Sequence, residues 1–569
     1  MNRSMTGNEK EDARTASCGE ARSHYSLLPP VAKRQKRGVS FLMIMHLAGF
    51  LVAGPVRGAD PETFAASLLN ATTEDPADTE QNKVAGPGWF WNLGPTGIRA
   101  MLVDKSGKCE WEGTATCFLV KYVFPKSPAD GKILPGDTII GVNAKPFSTG
   151  YPLGYWFGIG YDGPPMEFGK AIEESESGTH GKLEIMVVRK EKPLTVTVQI
   201  ESKGAFSATF PFNCKKSEQL ILEACAYLVK AQNKQGNWDE SDASVDACLA
   251  LLSQGPRYHP VVERYFDHAL AAIDRETWNW ELALNSILAS EYYLIARKDT
   301  YWRHMLRFND LLKANQCPNF TFGHMGYAVR DKGFYGPMCG ATSLACLGWS
   351  LLGKCGIPIH KESLDNALLE MDMAFKGDGY PYGWSTEACK KTTVMSETTV
   401  MTNLTSLDKP IHPFSDQRGG CLSFGAMALT HRLRPWKAYS DKVVTDHLIA
   451  LARARRAIVN GHGSGYIHGC WGLLAAGSMG DGIGHDDPFR IIMEYYKPYI
   501  NLARCHDGSF YTQPTRDDMN GDYGRSTRIL PTAVWSLVLS VPRRTLLVQG
   551  REDVQGKGKT ATRMNNMSK

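Results

Sequence analysis

The chain has 569 residues, with 64 Lys or Arg against 59 Asp or Glu and a formal net charge of +5. That surplus sits at the start: residues 1–58 hold nine basic and four acidic residues, so the remainder carries 55 of each and is formally neutral. A neutral surface excludes nucleic acid and anionic membranes as partners held by bulk charge. The roughly 510 residues after the first 58 exceed one ordinary core, so at least two domains are expected.

The cluster Lys33-Arg34-Gln35-Lys36-Arg37 stands directly before the apolar run Val39 to Ala53. This pattern predicts a secretory signal over residues 1–58, cut after Val56-Arg57-Gly58, and an exported protein, periplasmic or extracellular. The run falls short of the ~20 residues that cross a bilayer, so membrane contact is expected only through the signal segment, including the case in which it stays uncleaved as an anchor. Thirteen of the 14 cysteines follow the leader. Cys225, Cys248, Cys339, Cys346 and Cys470 sit among Ala, Leu and Gly in helical runs and read as small buried hydrophobes, whereas Cys109 and Cys117 flank a turn that a disulfide could close.

After a linker over residues 59–84, residues 85–205 form a β-rich domain. Short alternating runs predict strands at Ile98–Val103, Cys117–Val123, Thr138–Val142, Leu183–Arg189 and Leu194–Ile200, with short helices at Ser127–Asp130 and Met166–Glu174. The run Phe124-Pro125-Lys126-Ser127-Pro128-Ala129-Asp130-Gly131, continued by Leu134-Pro135-Gly136-Asp137 and a strand, resembles PDZ domains. Leu93-Gly94-Pro95-Thr96-Gly97-Ile98 falls where that family places its carboxylate-binding loop. The resemblance implies that Leu93, Gly94, Gly97 and Ile98 bind protein C-termini or extended peptides. Successive N–H groups would take the carboxylate while the edge Ile98–Met101 adds the peptide as a strand. Pro95, which has no N–H, and the insertion Tyr151–Pro165 depart from the pattern; they would reshape the groove or leave the domain as a docking block.

Residues 206–541 alternate apolar helical runs with turns that join Gly to an aromatic. The turns are Gln232-x-x-x-Gly236-x-Trp238, Phe322-Gly323-His324-Met325-Gly326-Tyr327, Gly377 to Trp384, Gly463-Ser464-Gly465-Tyr466 and Asp507-Gly508-Ser509-Phe510-Tyr511, with weaker marks at Trp278/Trp280 and Gly419-Gly420. A step of roughly 40 to 55 residues is that of a helix pair which needs neighbours to bury its apolar face, and six or seven such pairs can close into a ring. The Gln-to-Trp motif resembles the repeat of squalene and oxidosqualene cyclases, and the domain resembles the α/α toroid they share with protein prenyltransferases. The expected fold class is therefore multidomain, a small β-rich PDZ-like domain plus an all-α (α/α)6 toroid, followed by a disordered tail over residues 542–569.

Chemistry is less legible. The Asp-x-Asp-Asp acid of protonating cyclases is missing, and the nearest approach, His485-Asp486-Asp487-Pro488, reads as a helix cap. Asp246-Ala247-Cys248 with His304 or His324 imitates the zinc ligands of prenyltransferases, but Asp246 and Cys248 lie two apart on a helix and point to different faces. Asp518, Asn520 and Asp522 alternate in a Gly-containing loop as weak candidates for a hard cation, without an EF-hand's Gly and bidentate Glu. His324, His468, His506 and Asp507 are the weak catalytic candidates, since turns of a toroid gather at its ends. No metal or other cofactor is expected. The sequence thus predicts an exported protein that joins a peptide-recognition module to a toroid of binding or unassigned enzymatic function, with a small-molecule or glycan ligand in the toroid. The alternative is an extracytoplasmic lyase, hydrolase or cyclase-like enzyme using the toroid cavity.

Overall fold

The computed structural model of the chain describes residues 89–104, 113–153, 160–238, 241–332, 336–375, 380, 383–384, 420–434, 441–458, 465–480, 487–513, 515–516 and 528–552. The expected signal segment, linker, metal loop Asp518 to Asp522 and Cys109 lie outside the described residues. No described helix is long and apolar enough to cross a membrane.

An antiparallel sheet opens the described chain. It contains β1 (Trp89–Asn92), β2 (Ile98–Val103), β4 (Cys117–Val123), β5 (Thr138–Val142), β8 (Lys182–Arg189) and β9 (Lys192–Gln199), with β6 (Lys145–Pro146) on β5, while β3 (Gly113–Ala115) pairs β7 (Tyr151–Leu153). The five strands predicted from alternation are all present; Leu183–Arg189 puts every second residue on the core, whereas Ile98–Val103 is buried on both faces. The helix expected at Met166–Glu174 is α1 (Pro164–Gly178). The one expected at Ser127–Asp130 is a series of turns, with Asp130 N–H on the Ser127 carbonyl and Ile133 N–H on that of Ala129. Invisible to local pattern was β10 (Thr515–Arg516), which leaves the helical part of the chain to pair with β1 in the register Phe90↔Thr515.

Twelve further described helices alternate between two layers. The inner ones are α3 (Ser241–Leu252), α5 (Asn279–Ala296), α7 (Cys339–Cys355), α9 (Gly420–Leu433), α11 (Gly465–Met479) and α13 (Ile529–Leu539). Each packs on the next and α13 returns onto α3, so the inner layer is a closed ring of six. The outer ones are α2 (Lys215–Ala231), α4 (His259–Ala272), α6 (Trp302–Asn315), α8 (Lys361–Ala374), α10 (Asp441–Arg453) and α12 (Pro488–Ala503). Outer helices have an apolar stripe; every residue of α13 is buried, as expected of a helix with neighbours all round. The expected buried thiols bear this out: Cys225, Cys248, Cys339, Cys346 and Cys470 are all fully enclosed. Asp487 caps α12 as its sequence suggested, its carboxylate accepting the Arg490 N–H at 3.0 Å.

Residues 542–552, expected to begin a disordered tail, are instead packed. Leu547 and Val548 donate backbone N–H groups to the buried Glu291 of α5 at 3.0 and 2.9 Å, and Leu546, Leu547 and Val548 are enclosed. A buried carboxylate demands donors, and this segment supplies them.

Sheet and ring form one unit. Helix α1 lies on α12 so closely that a methyl group at Gly169 would stand 2.3 Å from the Pro498 carbonyl oxygen. Asn92 donates its side-chain amide to the carbonyls of Leu502 and Arg504 at 2.6 and 3.0 Å. The end of the insertion Tyr151–Pro165 takes part: the Tyr161 ring packs among Tyr495, Tyr496 and Tyr499 of α12, and Arg456 pairs with Asp162 at 2.6 Å.

Candidate functional site

The described Gly-aromatic turns join outer to inner helices, which puts them at one end of the ring. Three of them share one hydrogen-bond template. Asn233 N–H reaches the Asn237 carbonyl at 2.9 Å, Cys317 that of Thr321 at 2.9 Å, and Cys505 that of Ser509 at 2.7 Å. The N–H of the aromatic that follows, Trp238, Phe322 or Phe510, donates to a hydroxyl on the next inner helix, Ser244, Thr342 or Thr532, at 3.0, 3.0 and 2.8 Å. A left-handed residue bends each turn: Gly236, Phe320 and Gly508 have φ of +86°, +65° and +87°.

A fourth template position explains the Gln of the sequence motif. Gln232 donates to Gly236 and Val261 carbonyls at 2.7 and 3.0 Å, and Gln316 donates to those of Phe320 and Ser363 at 2.9 and 3.0 Å. Each glutamine thereby ties its own turn to the following outer helix. After the last turn no outer helix follows among the described residues, and Arg504 occupies the place. Its guanidinium turns to the sheet domain and pairs with the fully buried Glu176 of α1 at 2.6 Å. Glu176 also meets Lys216 of α2 at 2.7 Å and accepts the Lys203 N–H at 2.9 Å, while neighbouring Glu173 binds Lys216, Asn501 and the Phe206 N–H. Burial pushes Glu173 up, but Lys216 outweighs it and holds the carboxyl below its ordinary range; burial and Arg504 lower Lys216.

A cleft of about 600 Å³ opens at this seam, lined by Pro95 and Lys126 of the sheet domain, Lys203, Tyr227 and Lys230 around α2, and the turn Arg504 to Gly508. Among its walls are the predicted His506 and Asp507 and a residue of the predicted carboxylate loop. Asp507 is not a poised acid. Its carboxylate accepts Ser509 Oγ at 2.7 Å, as Asn319 accepts Thr321 Oγ1 at 2.6 Å in the earlier turn, and it pairs with the buried Arg528. Burial raises it, yet Arg528 and Ser509 overcome this and keep it ionised. Partial burial pushes His506 down, so its imidazole at the cleft wall is neutral near pH 7, and burial pushes the adjacent Cys505 thiol up to about 11, which removes a thiolate nucleophile. Behind the wall lie two enclosed guanidiniums: Arg99, 3.9 Å from the Tyr511 ring centre, and Arg528, 5.4 Å from that of Tyr227. Burial and the nearby Arg528 lower Arg99 from its ordinary value.

The expected peptide groove is corrected by this geometry. Strand β2 is hydrogen-bonded on both sides, by β1 and by β4, so Ile98–Met101 offers no free edge. The loop is folded inward: Leu93 N–H donates to the Ile98 carbonyl at 2.9 Å, Gly97 N–H to that of Gly94 at 3.4 Å, and Leu93 and Ile98 are fully buried. Gly97 is needed for its φ of +77° and for space, since a methyl group there would stand 2.2 Å from Ser127 Cβ and 3.6 Å from His506 Nδ1. Pro95, without an N–H, is the loop residue that reaches the cleft.

The remaining candidates separate. His324 lies in its turn with Nδ1 accepting the Trp280 indole N–H at 2.7 Å. The side chain of His468, on α11, lies outside the described residues. Asp246 and Cys248 are both enclosed in α3, burial raises the Cys248 thiol well above its ordinary value, and the described residues contain no group of three potential metal ligands. The zinc-site imitation therefore fails there.

Against known proteins, a family model described as a domain of unknown function, DUF6288, matches residues 217–397, from α2 to beyond α8. No curated protein matches. Among solved structures, a family 76 glycoside hydrolase from a bovine Bacteroides thetaiotaomicron strain is similar at 10% identity over 64% of this chain and 84% of that one, with a TM-score of 0.38. A likeness this loose carries no argument about fold or activity.

One buried cluster escaped the sequence reading because its members come from four segments. Tyr380 Oη lies 2.6 Å from His447 Nε2, and His447 Nδ1 lies 2.6 Å from the Val443 carbonyl. A carbonyl only accepts, so Nδ1 carries the proton and Tyr380 donates to Nε2. Alongside, His431 Nε2 meets Asp372 Oδ1 at 2.9 Å. Burial, opposed by the Val443 carbonyl, pushes His447 down from 6.5 to about 4. The unfolded chain thus takes up this proton first as pH falls. The neutral histidine contributes fully above pH 6.5, and its contribution is lost as pH drops through about 4. The shift corresponds to about 3 kcal/mol. His447→Gln should accordingly flatten the fall in unfolding free energy between pH 7 and 4; an unchanged slope in denaturant titrations would show that His447 titrates normally.

Proposed function

We propose that this is an exported binding protein whose sheet domain is a fixed docking block on a helical toroid, and that the cleft between them receives the carboxylate end of a ligand, a peptide C-terminus in the first instance. The observation that carries the reading is the cationic bias of the cleft. Lys126, Lys203, Lys230 and Arg504 line it against Glu201, Glu223 and Asp507, Lys203 being paired with Glu201 at 2.7 Å and with Glu223, and Arg504 with Glu176, while Arg99 and Arg528 are enclosed behind. Arg504 stands where earlier turns have an architectural glutamine and is itself committed to Glu176, so it contributes positive charge to the cleft wall rather than a free donor. Carboxylate capture here would rest on side-chain cations rather than on the N–H groups of the Leu93–Ile98 loop.

Full-length protein titrated with a library of free-acid peptides should show micromolar binding, about −8 kcal/mol. Amidated counterparts should bind at least tenfold more weakly, and raising salt should weaken the free acids selectively. The double variant Lys126→Glu, Lys230→Glu should erase the difference. Equal binding of acids and amides by the parent protein would defeat the proposal.

The enzymatic alternative finds one observation in its favour, the neutral exposed imidazole of His506 in the same cleft, which suits a general base. It would be preferred if His506→Ala abolished turnover of a bound peptide or glycan while leaving its affinity intact.

A further inference from the structure

Trp278 and Trp280, two residues apart, meet His324, which follows them by 46 and 44 residues, at the turn end of the ring. Trp278, which precedes α5, is 49% exposed and is the one aromatic among the exposed large hydrophobics of the described residues. Its ring packs on His324 with centres 4.8 Å apart and planes inclined by 37°. His324 is held from two directions, its Nδ1 by the Trp280 indole N–H at 2.7 Å and its carbonyl by the Asn279 N–H at 2.7 Å. Asn279, fully buried, also clamps the carbonyls on either side, Gly323 and Met325, at 2.9 and 3.0 Å. The indole is therefore mounted on a rigid base and presents surface to solvent without having to be ordered on binding.

We propose that Trp278 is a stacking platform for a pyranose ring of a glycan. The surroundings select that class. The turn before it, Asp274 to Thr277, is polar and carries its own Asx geometry, with Glu276 N–H on Asp274 Oδ1 at 2.8 Å and Asp274 N–H on Thr277 Oγ1 at 2.8 Å. A single indole in a polar rim is too small for a lipid surface or for the core of a protein interface, which needs a contiguous apolar patch. A nucleobase would stack equally well, but the chain after residue 58 is formally neutral and provides no bulk attraction for its phosphates. A sugar ring offers what the site can use, an apolar C–H face for the indole and a hydroxyl edge for the polar rim.

The experiment is affinity electrophoresis of the full chain through gels containing neutral glucans and xylans or acidic pectins and alginates, with tryptophan fluorescence on the polymer that retards it. Wild type should be retarded by at least one polymer. Trp278→Ala should weaken the apparent affinity roughly tenfold or more, equivalent to about 1.4 kcal/mol, at unchanged thermal midpoint, and Trp278→Phe should recover part of it. Retardation by none of the polymers would overturn the proposal, as would a Trp278→Ala variant retarded like wild type. The seam cleft is untouched by these variants, so the peptide proposal stands or falls separately.

Discussion

Replacing Glu176 by Ala is expected to destabilise the sheet–ring unit by about 3–5 kcal/mol, the cost of leaving buried cations without their partner. Glu176 is fully enclosed and faces Lys216 at 2.7 Å and Arg504 at 2.6 Å, one from the first outer helix and one from the last turn. Three segments far apart in sequence converge on one carboxylate. Removing it leaves Arg504 without its carboxylate and Lys216 with Glu173 alone, both in a buried site, whereas Glu176→Gln keeps the volume and an acceptor for the Lys203 N–H and should cost less. Denaturant unfolding followed by tryptophan fluorescence and far-ultraviolet circular dichroism is the measurement. A single transition shifted to lower denaturant is the expected result. An unshifted midpoint for Glu176→Ala would mean that sheet and ring are joined by apolar contacts alone.

The second large effect concerns Trp238. Its side chain is enclosed, its indole N–H donates to the Leu228 carbonyl at 2.7 Å, and its backbone exchanges two hydrogen bonds with Ser244. Truncation to Ala should cost roughly 3–5 kcal/mol, from lost burial plus the cavity left behind, and leaves the Leu228 carbonyl without that donor. The thermal midpoint should fall while binding at the seam cleft, measured below that midpoint, stays the same. An unaltered midpoint with a changed ligand response would place Trp238 at a working site instead of at a joint between layers.

The turn template shows where the sequence could be read and where it could not. Gln232, Gly236 and Trp238 announce their roles by type: an amide for two carbonyls, a residue free to take positive φ, an indole to bury. Gln316 repeats the glutamine, but Phe320 stands where Gly236 does and Phe322 where Trp238 does, so a search for Gly-Trp passes over that turn. Asp507 misled for the opposite reason. A carboxylate beside His506 and Cys505 suggests catalysis, yet the same position in an earlier turn is Asn319 with the same hydroxyl contact, which identifies a turn-forming role that Arg528 then reinforces.

Local pattern alone determined the strands Ile98–Val103, Cys117–Val123 and Thr138–Val142, the alternation of helix pairs with Gly-aromatic turns, the cap at Asp487 and the burial of the helical cysteines. Each depends on side-chain period or on the conformational preference of one residue, and both act over a few positions. Tertiary structure decided the rest. Whether β2 has an open edge depends on β1 and β4 together, and whether β1 in turn has one depends on Thr515 and Arg516, more than 400 residues away. The direction taken by Arg504, the ordering of Leu547 and Val548 on Glu291, and the seam cleft all arise where the end of the ring meets its beginning. Closure brings distant segments together by burying their apolar faces, an interaction without direction or sequence address, while the charged groups at the seam depend on partners that only closure places beside them.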